Sequence, residues 1–253
     1  MSAKDVAYML RRLQLGPIAP TLPTLYAQAA AESWSYEQFL HTVLDGAVAT
    51  RETRSVERRI REAGFPSTTK TLESYDFTAQ PALRKTVVLQ LATLDFIRRK
   101  EGVILLGPTG TGKTHLSIAL GLKACQAGFS VRFTTAVELV TTLTQAHRQH
   151  TLAAALRQYT RPALLICDEL GYIPFDPDAA ALFFQLVSRR YETASMIVSS
   201  NLPFSSWGEV FGNATAASAI IDRLVHHSEI LVLKGASYRL RGKEQVVGRE
   251  KAQ

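Results

Sequence analysis

The strongest constraint on this chain comes from residues 107–114, which read Gly-Pro-Thr-Gly-Thr-Gly-Lys-Thr and fill every position of the pattern G-x-x-x-x-G-K-[ST]. Glycines in this pattern let successive backbone N–H groups converge on phosphate oxygens, and the N-terminus of the following helix adds partial positive charge. An apolar run at residues 103–106 precedes the loop, and a stretch with helical character at residues 115–124 follows it. This order of strand, loop and helix predicts an α/β protein with a nucleoside triphosphate site.

The side chains of the loop have separate predicted roles. Lys113 is expected to reach the β- and γ-phosphates, where an ammonium about 4 Å from a phosphate oxygen gains on the order of 4 kcal/mol near a protein surface. The hydroxyl of Thr114 is expected to bind Mg²⁺. The whole loop is predicted to contact the nucleotide: Gly107, Pro108, Thr109, Gly110, Thr111, Gly112, Lys113 and Thr114.

Two carboxylates follow a second apolar run, residues 163–167. Because a buried parallel strand delivers its last residues to the sheet edge beside the phosphate loop, Asp168 is predicted to orient Mg²⁺ and its waters. Glu169 lies one residue further and is predicted to polarise the water that attacks the γ-phosphate. The pair therefore indicates hydrolysis as well as binding. The alternative interpretation is an acid pair at a helix N-terminus or at a solvated strand end.

Composition limits the class of protein. With 253 residues, of which 46% are hydrophobic, the chain can form one α/β core and a small appendage. We expect no membrane-spanning segment, and the N-terminus lacks the pattern of a secretory signal, so a cytoplasmic location is predicted. Cys125 and Cys167 are predicted to be core residues without a disulfide. The six histidines show no helical His-x-x-x-His spacing, and no metal is assigned to them.

The chain is basic, with a formal net charge of +7. In a cytosolic protein this favours a polyanionic partner, most simply nucleic acid. Six basic residues stand against two acidic ones in residues 234–253. A solvated tail explains this segment equally well.

The sequence divides into two predicted domains. Residues 1–63 have helical spacing, with a capping pattern at Ser35 and Gln38, and are predicted to form a small helical domain for oligomerisation, DNA or partner contact. Residues 64–70 contain Gly, Pro and hydroxyl residues and read as a linker. From residue 71 to residue 253, helix-like and strand-like runs alternate, including a helix at residues 86–98, which predicts a parallel, doubly wound sheet.

A basic amphipathic helix is predicted at residues 51–62. Its arginines share one face and are candidates for DNA contact: Arg51, Arg54, Arg58 and Arg61. Glutamates on the same helix dilute the charge. Three interpretations of this face follow: its arginines form ion pairs on the helix surface, it contacts a partner helix, or it contacts the DNA backbone.

Three further segments resemble a known family. Residues 168–174 are similar to the extended Walker B segment of AAA+ ATPases, residues 199–204 to the sensor-one strand end, and residues 221–227 to the segment that carries an arginine finger. The residues of these motifs resemble those of the IstB group of transposition helper ATPases, which is related to the DnaC-type helicase loaders. The likeness covers most of residues 70–241, while residues 1–63 match mainly in helical character.

The resemblance implies further site residues. Asn201 would share the attacking water with Glu169, and Arg223 would act as an arginine finger at the γ-phosphate of a neighbouring subunit. Arg239 would sense the nucleotide, although the chain leaves no room after residue 241 for the full C-terminal helical lid of many AAA+ proteins. Simpler explanations are a turn role for Asn201, an ion pair of Arg223 with Asp222 or Glu229, and a place in the basic tail for Arg239.

The resemblance also implies the function. It indicates an ATPase that uses ATP and Mg²⁺, forms a homo-oligomer with ATP at the subunit interfaces, binds double-stranded DNA largely independently of sequence, and assists a transposase in target selection and integration. Two alternatives share the nucleotide site. One is a DnaC-like loader of a replicative helicase, and the other is a nucleotide-gated architectural DNA binder with negligible hydrolysis.

Overall fold

The computed structural model describes residues 3–238, with side chains from Asp5 onward. The chain divides into two compact units, Met1–Arg58 and Arg59–Gln253. The division falls within a long helix, a few residues before the linker predicted at residues 64–70.

The first unit is helical, as its spacing predicts. It contains α1 (Ala3–Arg12), α2 (Leu22–Ala31) and most of α3 (Tyr36–Ala63). The backbone amide of Gln38 donates to the hydroxyl of Ser35 at 3.1 Å, which caps α3 at the predicted position. Although α3 has 28 residues, neither it nor any other helix in the described part of the chain is long and apolar enough to cross a membrane.

The second unit contains a five-stranded parallel sheet, which confirms the predicted fold class. The strands are β1 (Gly102–Leu106), β2 (Val131–Thr135), β3 (Leu164–Leu170), β4 (Ser195–Ser200) and β5 (Ser228–Val232). Their order across the sheet is β2-β3-β4-β1-β5, and every neighbouring pair is parallel. The helices of this unit are α4 (Lys85–Leu91), α5 (Asp95–Arg98), α6 (Lys113–Gln126), α7 (Ala136–Arg148), α8 (Leu152–Thr160), α9 (Pro177–Arg190), α10 (Trp207–Val210) and α11 (Ala214–Val225).

Alternate residues of the three central strands, β3, β4 and β1, enter two separate hydrophobic clusters. Along β1, Val103 and Leu105 join the cluster that contains α6, whereas Ile104 and Leu106 join the cluster that contains α7, α9 and α11. All four side chains are buried. This alternation covers both faces of the sheet and leaves the ends of the strands to carry polar residues.

The prediction of a single helix at residues 86–98 is wrong. The structure contains α4 and α5 instead, separated by Leu94, which has a φ of 65°. This left-handed conformation is costly for a leucine, but Leu94 is 3% exposed. Its burial in the core, together with Phe96 and Ile97, offsets the cost of the turn.

Candidate functional site

The phosphate loop connects the end of β1 to the first turn of α6. Gly110 and Gly112 both have positive φ, at 82° and 101°. A Cβ on Gly110 would lie 2.0 Å from the hydroxyl oxygen of Ser237, and a Cβ on Gly112 would lie 2.8 Å from the ring of Tyr75. Both positions therefore require glycine for backbone conformation and for space, since the loop is packed between these two neighbours.

Lys113 is the first residue of α6 and is 9% exposed. Its ammonium donates to the carbonyl oxygens of Gly107, at 2.5 Å, and Pro108, at 2.8 Å. The charge is thus held against the concave side of the loop, where the N-terminal amides of α6 also lie. This arrangement concentrates positive potential at one point and suits a polyphosphate.

An open pocket of about 220 Å³ lies at the C-terminal ends of the strands. It brings together two groups of predicted residues from distant parts of the sequence. From the loop it is lined by Thr109, Gly110, Thr111, Gly112, Lys113 and Thr114. Glu169, near the C-terminal end of β3, and Asn201, directly after β4, line the same pocket.

Asp168 lies at the end of β3 and is 2% exposed. Its carboxylate accepts a hydrogen bond from the hydroxyl of Ser199, and Ser199 rather than Asp168 lines the pocket. The same hydroxyl accepts from the backbone amide of Glu169 at 3.1 Å. Ser199 therefore ties the two acidic positions together, a role that no sequence motif indicated.

Glu169 is exposed to the pocket because the strand is irregular at this point. Its φ is 61°, and the pairing register of β3 with β4 shifts between Cys167 and Leu170. A bulge of this kind re-aims a side chain next to a binding site. The carboxylate of Glu169 thus faces the pocket, while Asp168 and Leu170 on either side are buried.

Asn201 directly follows β4. Its amide oxygen is buried and has no hydrogen-bond partner in the described structure. Such a group costs on the order of 1–3 kcal/mol, which a polar ligand or ordered water beside it would offset. The position fits a residue that orients water next to Glu169.

The rest of the pocket lining comes from residues for which the sequence predicted no role in the site. Tyr75 is 8% exposed and packs edge-on against the rings of Phe77, at 4.9 Å, and His115, at 5.2 Å. Burial raises the pKa of Tyr75 to about 12, so its phenol is neutral. Other members of this part of the lining are Lys70, Ser74, Asp76, Ala79, Gln80, Tyr172 and Tyr238.

The pocket contains the groups that a Mg²⁺-bound nucleotide needs. Lys113 and the loop amides suit the phosphates, and the hydroxyl of Thr114 is an oxygen donor of the type that Mg²⁺ prefers. The carboxylate of Asp168 is a second such donor, which lies behind Ser199 rather than in the lining itself. The buried amide oxygen of Asn201 adds an unsatisfied polar atom at the same wall. The donor set therefore fits the cofactors that the loop motif predicts.

Arg223 lies at the N-terminal ends of the strands. Its surroundings include Gly102 and Ser228, the first residues of β1 and β5. The guanidinium lies 4.6 Å from the ring centroid of Phe184 and donates to the carbonyl of Ala219 at 3.2 Å. The pocket is at the opposite ends of the strands, so the structure does not bring Arg223 together with Glu169.

The predicted DNA-contact residues are on α3. The four arginines of α3, Arg51, Arg54, Arg58 and Arg61, are exposed along the helix. Val56 and Ile60 on the other face are partly buried, and Ala63 is buried. This confirms an amphipathic helix without identifying its partner. Arg239 lies outside the described residues.

Comparison with known proteins gives consistent relatives. The family described as IstB-like ATP binding protein matches residues 8–246. An ATP-binding protein of the insertion sequence IS21 from Pseudomonas aeruginosa is 44% identical over 241 residues, covering 95% of this chain and 91% of that protein. An ATP-binding protein of the insertion sequence IS5376 from Geobacillus stearothermophilus is 40% identical over 242 residues, covering 96% of this chain and 96% of that protein.

Solved structures share the fold over about two thirds to three quarters of this chain. AMPPCP-bound DnaA from Aquifex aeolicus aligns with a TM-score of 0.55 at 16% identity, over 73% of this chain and 56% of that chain. DnaI aligns with a TM-score of 0.55 at 18% identity, over 65% of this chain and 90% of that chain. These likenesses show that the chain shares its α/β fold with DnaA and DnaI. The family match spans nearly the whole chain, and this protein belongs to the family of IstB-like ATP-binding proteins.

Proposed function

We propose that this protein is an ATPase that binds ATP and Mg²⁺ in the pocket, assembles on double-stranded DNA and assists a transposase. The observation that carries the enzymatic part is the convergence of Lys113, Glu169 and Asn201 on one pocket from three separate strand ends. Phosphate binding alone requires only the loop. A carboxylate and an amide opposite the loop are the groups that activate and orient water.

Each of these side chains has a separate role in the proposed hydrolysis. The loop amides and Lys113 hold the phosphates and neutralise charge that develops in the transition state. Glu169 accepts a proton from the attacking water, and Asn201 orients that water in line with the bond that breaks. Thr114 and Asp168 would hold Mg²⁺, which would neutralise negative charge on the phosphates. The hydroxyl of Ser199 holds the carboxylate of Asp168 by a hydrogen bond and restricts its orientation.

The position of Arg223 supports a site shared between subunits. A five-residue strand such as β1 is roughly 16 Å long, so a side chain at its start does not reach the pocket beyond its end. Arg223 is therefore poorly placed to act on its own nucleotide and is suited to act on that of a neighbour. In that arrangement ATP stabilises the contact between subunits, and hydrolysis weakens it.

DNA binding rests on charge and on the family. The formal net charge is +7, and the arginines of α3 form an exposed basic row. Phosphate contacts of this kind give affinity with little sequence preference and a strong dependence on salt. The relatives belong to insertion sequences, which supports a transposase as the partner of the assembled complex.

The experiment that tests the enzymatic proposal is the Glu169→Gln substitution. We expect the variant to bind ATP as wild type does, to lose at least about 100-fold in hydrolysis rate, and to remain on DNA after ATP-dependent assembly. Equal rates of ATP hydrolysis and of release from DNA in both proteins would contradict the proposal. That result would favour an architectural DNA binder in which hydrolysis has no role.

A second candidate function is the loading of a replicative helicase. The structural likeness to DnaI favours it, since 90% of that chain aligns with this protein. Pull-down experiments with a replicative helicase and with the transposase of the same insertion sequence separate the two functions. Capture of the helicase and not of the transposase, in the presence of ATP, would overturn the transposition role.

A further inference from the structure

A second group of polar side chains lies at the N-terminal ends of the strands, whereas the nucleotide pocket lies at their C-terminal ends. Glu192 follows α9, and His226 and His227 connect α11 to β5. One potential ligand atom from each residue lies within 4.8 Å of the other two. The sequence gives no sign of this group because the histidines are adjacent and the glutamate is distant along the chain.

The distances within the group suit a small divalent cation. The Nε2 atom of His227 lies 3.4 Å from a carboxylate oxygen of Glu192. Two ligands that each bind zinc at about 2.0–2.1 Å in tetrahedral geometry lie roughly 3.3–3.4 Å apart. This pair is therefore already at the separation that zinc requires, and the ligand atom of His226 lies within 4.8 Å of both.

A neighbouring hydroxyl is placed to support the third ligand. The phenol oxygen of Tyr191 lies 2.7 Å from Nδ1 of His226. When Nδ1–H donates to this oxygen, Nε2 carries a lone pair that is available to a metal. Histidines that bind metals commonly donate their second nitrogen in this way, which fixes both tautomer and ring orientation.

The backbone that carries the three ligands is anchored on both sides. The carbonyl of His227 accepts from the amide of Gly102 at 2.8 Å, and the amide of His226 donates to Asp222 at 3.1 Å. Glu192 has a φ of 57°, in the left-handed region that a glutamate seldom adopts. This turn directs its side chain toward the histidines.

We propose that Glu192, His226 and His227 form a zinc-binding site distinct from the nucleotide pocket. The ligand set of two imidazoles and one carboxylate matches zinc better than magnesium or calcium, which prefer oxygen ligands. Water completes the coordination, because all three residues are exposed. A bound ion would join the turn after α9 to the junction of α11 and β5.

The positive side chains nearby set the expected strength of binding. Lys100 and Arg223 line the same depression as Glu192 and His227. Their charges oppose a cation, and three exposed ligands are fewer than the four of a closed structural site. We therefore expect affinity in the micromolar range rather than the tight binding of structural zinc sites.

The test is a Zn²⁺ titration of the full-length protein with any affinity tag removed, in excess Mg²⁺ and without nucleotide, read by competition with a fluorescent zinc chelator. We expect one ion per chain. His226→Ala and His227→Ala should each weaken binding at least tenfold, and Tyr191→Phe should weaken it about tenfold through loss of the supporting hydroxyl. His41→Ala, which removes an exposed histidine elsewhere, should change nothing.

A second measurement separates a built site from general surface binding. Zn²⁺ should raise the midpoint of thermal unfolding of wild type and of His41→Ala, and should not raise that of the His226→Ala and His227→Ala double variant. Failure of wild type to bind Zn²⁺, or equal binding by the double variant, would overturn the proposal. Because these residues are exposed, the variants are expected to fold, which circular dichroism checks.

Discussion

The hydroxyl of Ser199 donates a hydrogen bond to the buried carboxylate of Asp168 and thereby joins β4 to β3 at the wall of the nucleotide pocket. A hydrogen bond to a charged group contributes about 1.5–3 kcal/mol, and a loss of this size in the transition state slows a reaction about 10- to 100-fold. We predict that Ser199→Ala lowers the ATP hydrolysis rate by this factor while ATP affinity changes less than about threefold.

The control for this prediction is on the same strand. Ser195 is also buried, and its hydroxyl donates to the carbonyl of Phe96 at 3.1 Å, at the end of β4 away from the pocket. Ser195→Ala should leave the hydrolysis rate per folded molecule unchanged. If both variants hydrolyse ATP equally, Ser199 has only a structural role.

Lys113 is the subject of a second prediction. Its ammonium is held beside the loop by the carbonyls of Gly107 and Pro108, where it faces the predicted phosphates. Lys113→Met should lower ATP affinity at least about 100-fold, measured by titration with a fluorescent ATP analogue. Lys123→Met is the matched control, because Lys123 is on the same helix and pairs with Glu73 at 3.1 Å. A similar loss of affinity in both variants would contradict the role of Lys113.

The local parts of this structure could be predicted from sequence. The phosphate loop has the residue types that its backbone requires, and its flanking strand and helix follow directly. The pattern Thr-x-x-Glu forms a capping box at the start of α7: Glu138 N–H donates to Thr135 Oγ at 3.2 Å, and Thr135 N–H donates to the Glu138 carboxylate at 3.1 Å. These features depend on residues a few positions apart.

The features that sequence reasoning missed depend on tertiary contacts. Ser199 lies beside Asp168 only because β3 and β4 pair in parallel with a shifted register at this end. Tyr75 reaches the pocket through packing against His115, and Leu94 breaks a helical pattern because the core buries it. In each case the deciding partner is distant in the sequence or is the core as a whole, so no local pattern indicates it.

Arg190 gives a prediction about stability. Its guanidinium is 1% exposed and donates to the carbonyls of Tyr159 at 2.6 Å, Pro162 at 3.0 Å and Ser195 at 2.5 Å. Burial lowers the pKa of Arg190 to about 9, which leaves it protonated at neutral pH. Arg190→Leu should lower the free energy of unfolding by about 3 kcal/mol or more, because the buried carbonyls of Tyr159 and Ser195 and the partly buried carbonyl of Pro162 lose their donor.

Urea denaturation measures this difference. Arg189→Ala is the control, because Arg189 is the exposed neighbour on the same turn of α9. Its unfolding free energy should stay within about 0.5 kcal/mol of wild type. A loss of less than about 1 kcal/mol in Arg190→Leu would show that water or rearrangement replaces the guanidinium.

The last prediction concerns the proposed sharing of the site between subunits. Arg223 and Lys113 lie at opposite ends of the strands of one sheet. Arg223 can therefore act as an arginine finger only on the nucleotide of a second chain. Lys113→Met and Arg223→Ala should each hydrolyse ATP poorly when alone, although Arg223→Ala still binds it. Mixed in equal amounts with DNA, the two variants should regain hydrolysis, because a contact between the intact loop of one and the intact arginine of the other becomes possible. Rates in the mixture that equal the average of the separate variants would argue against an arginine acting across the interface.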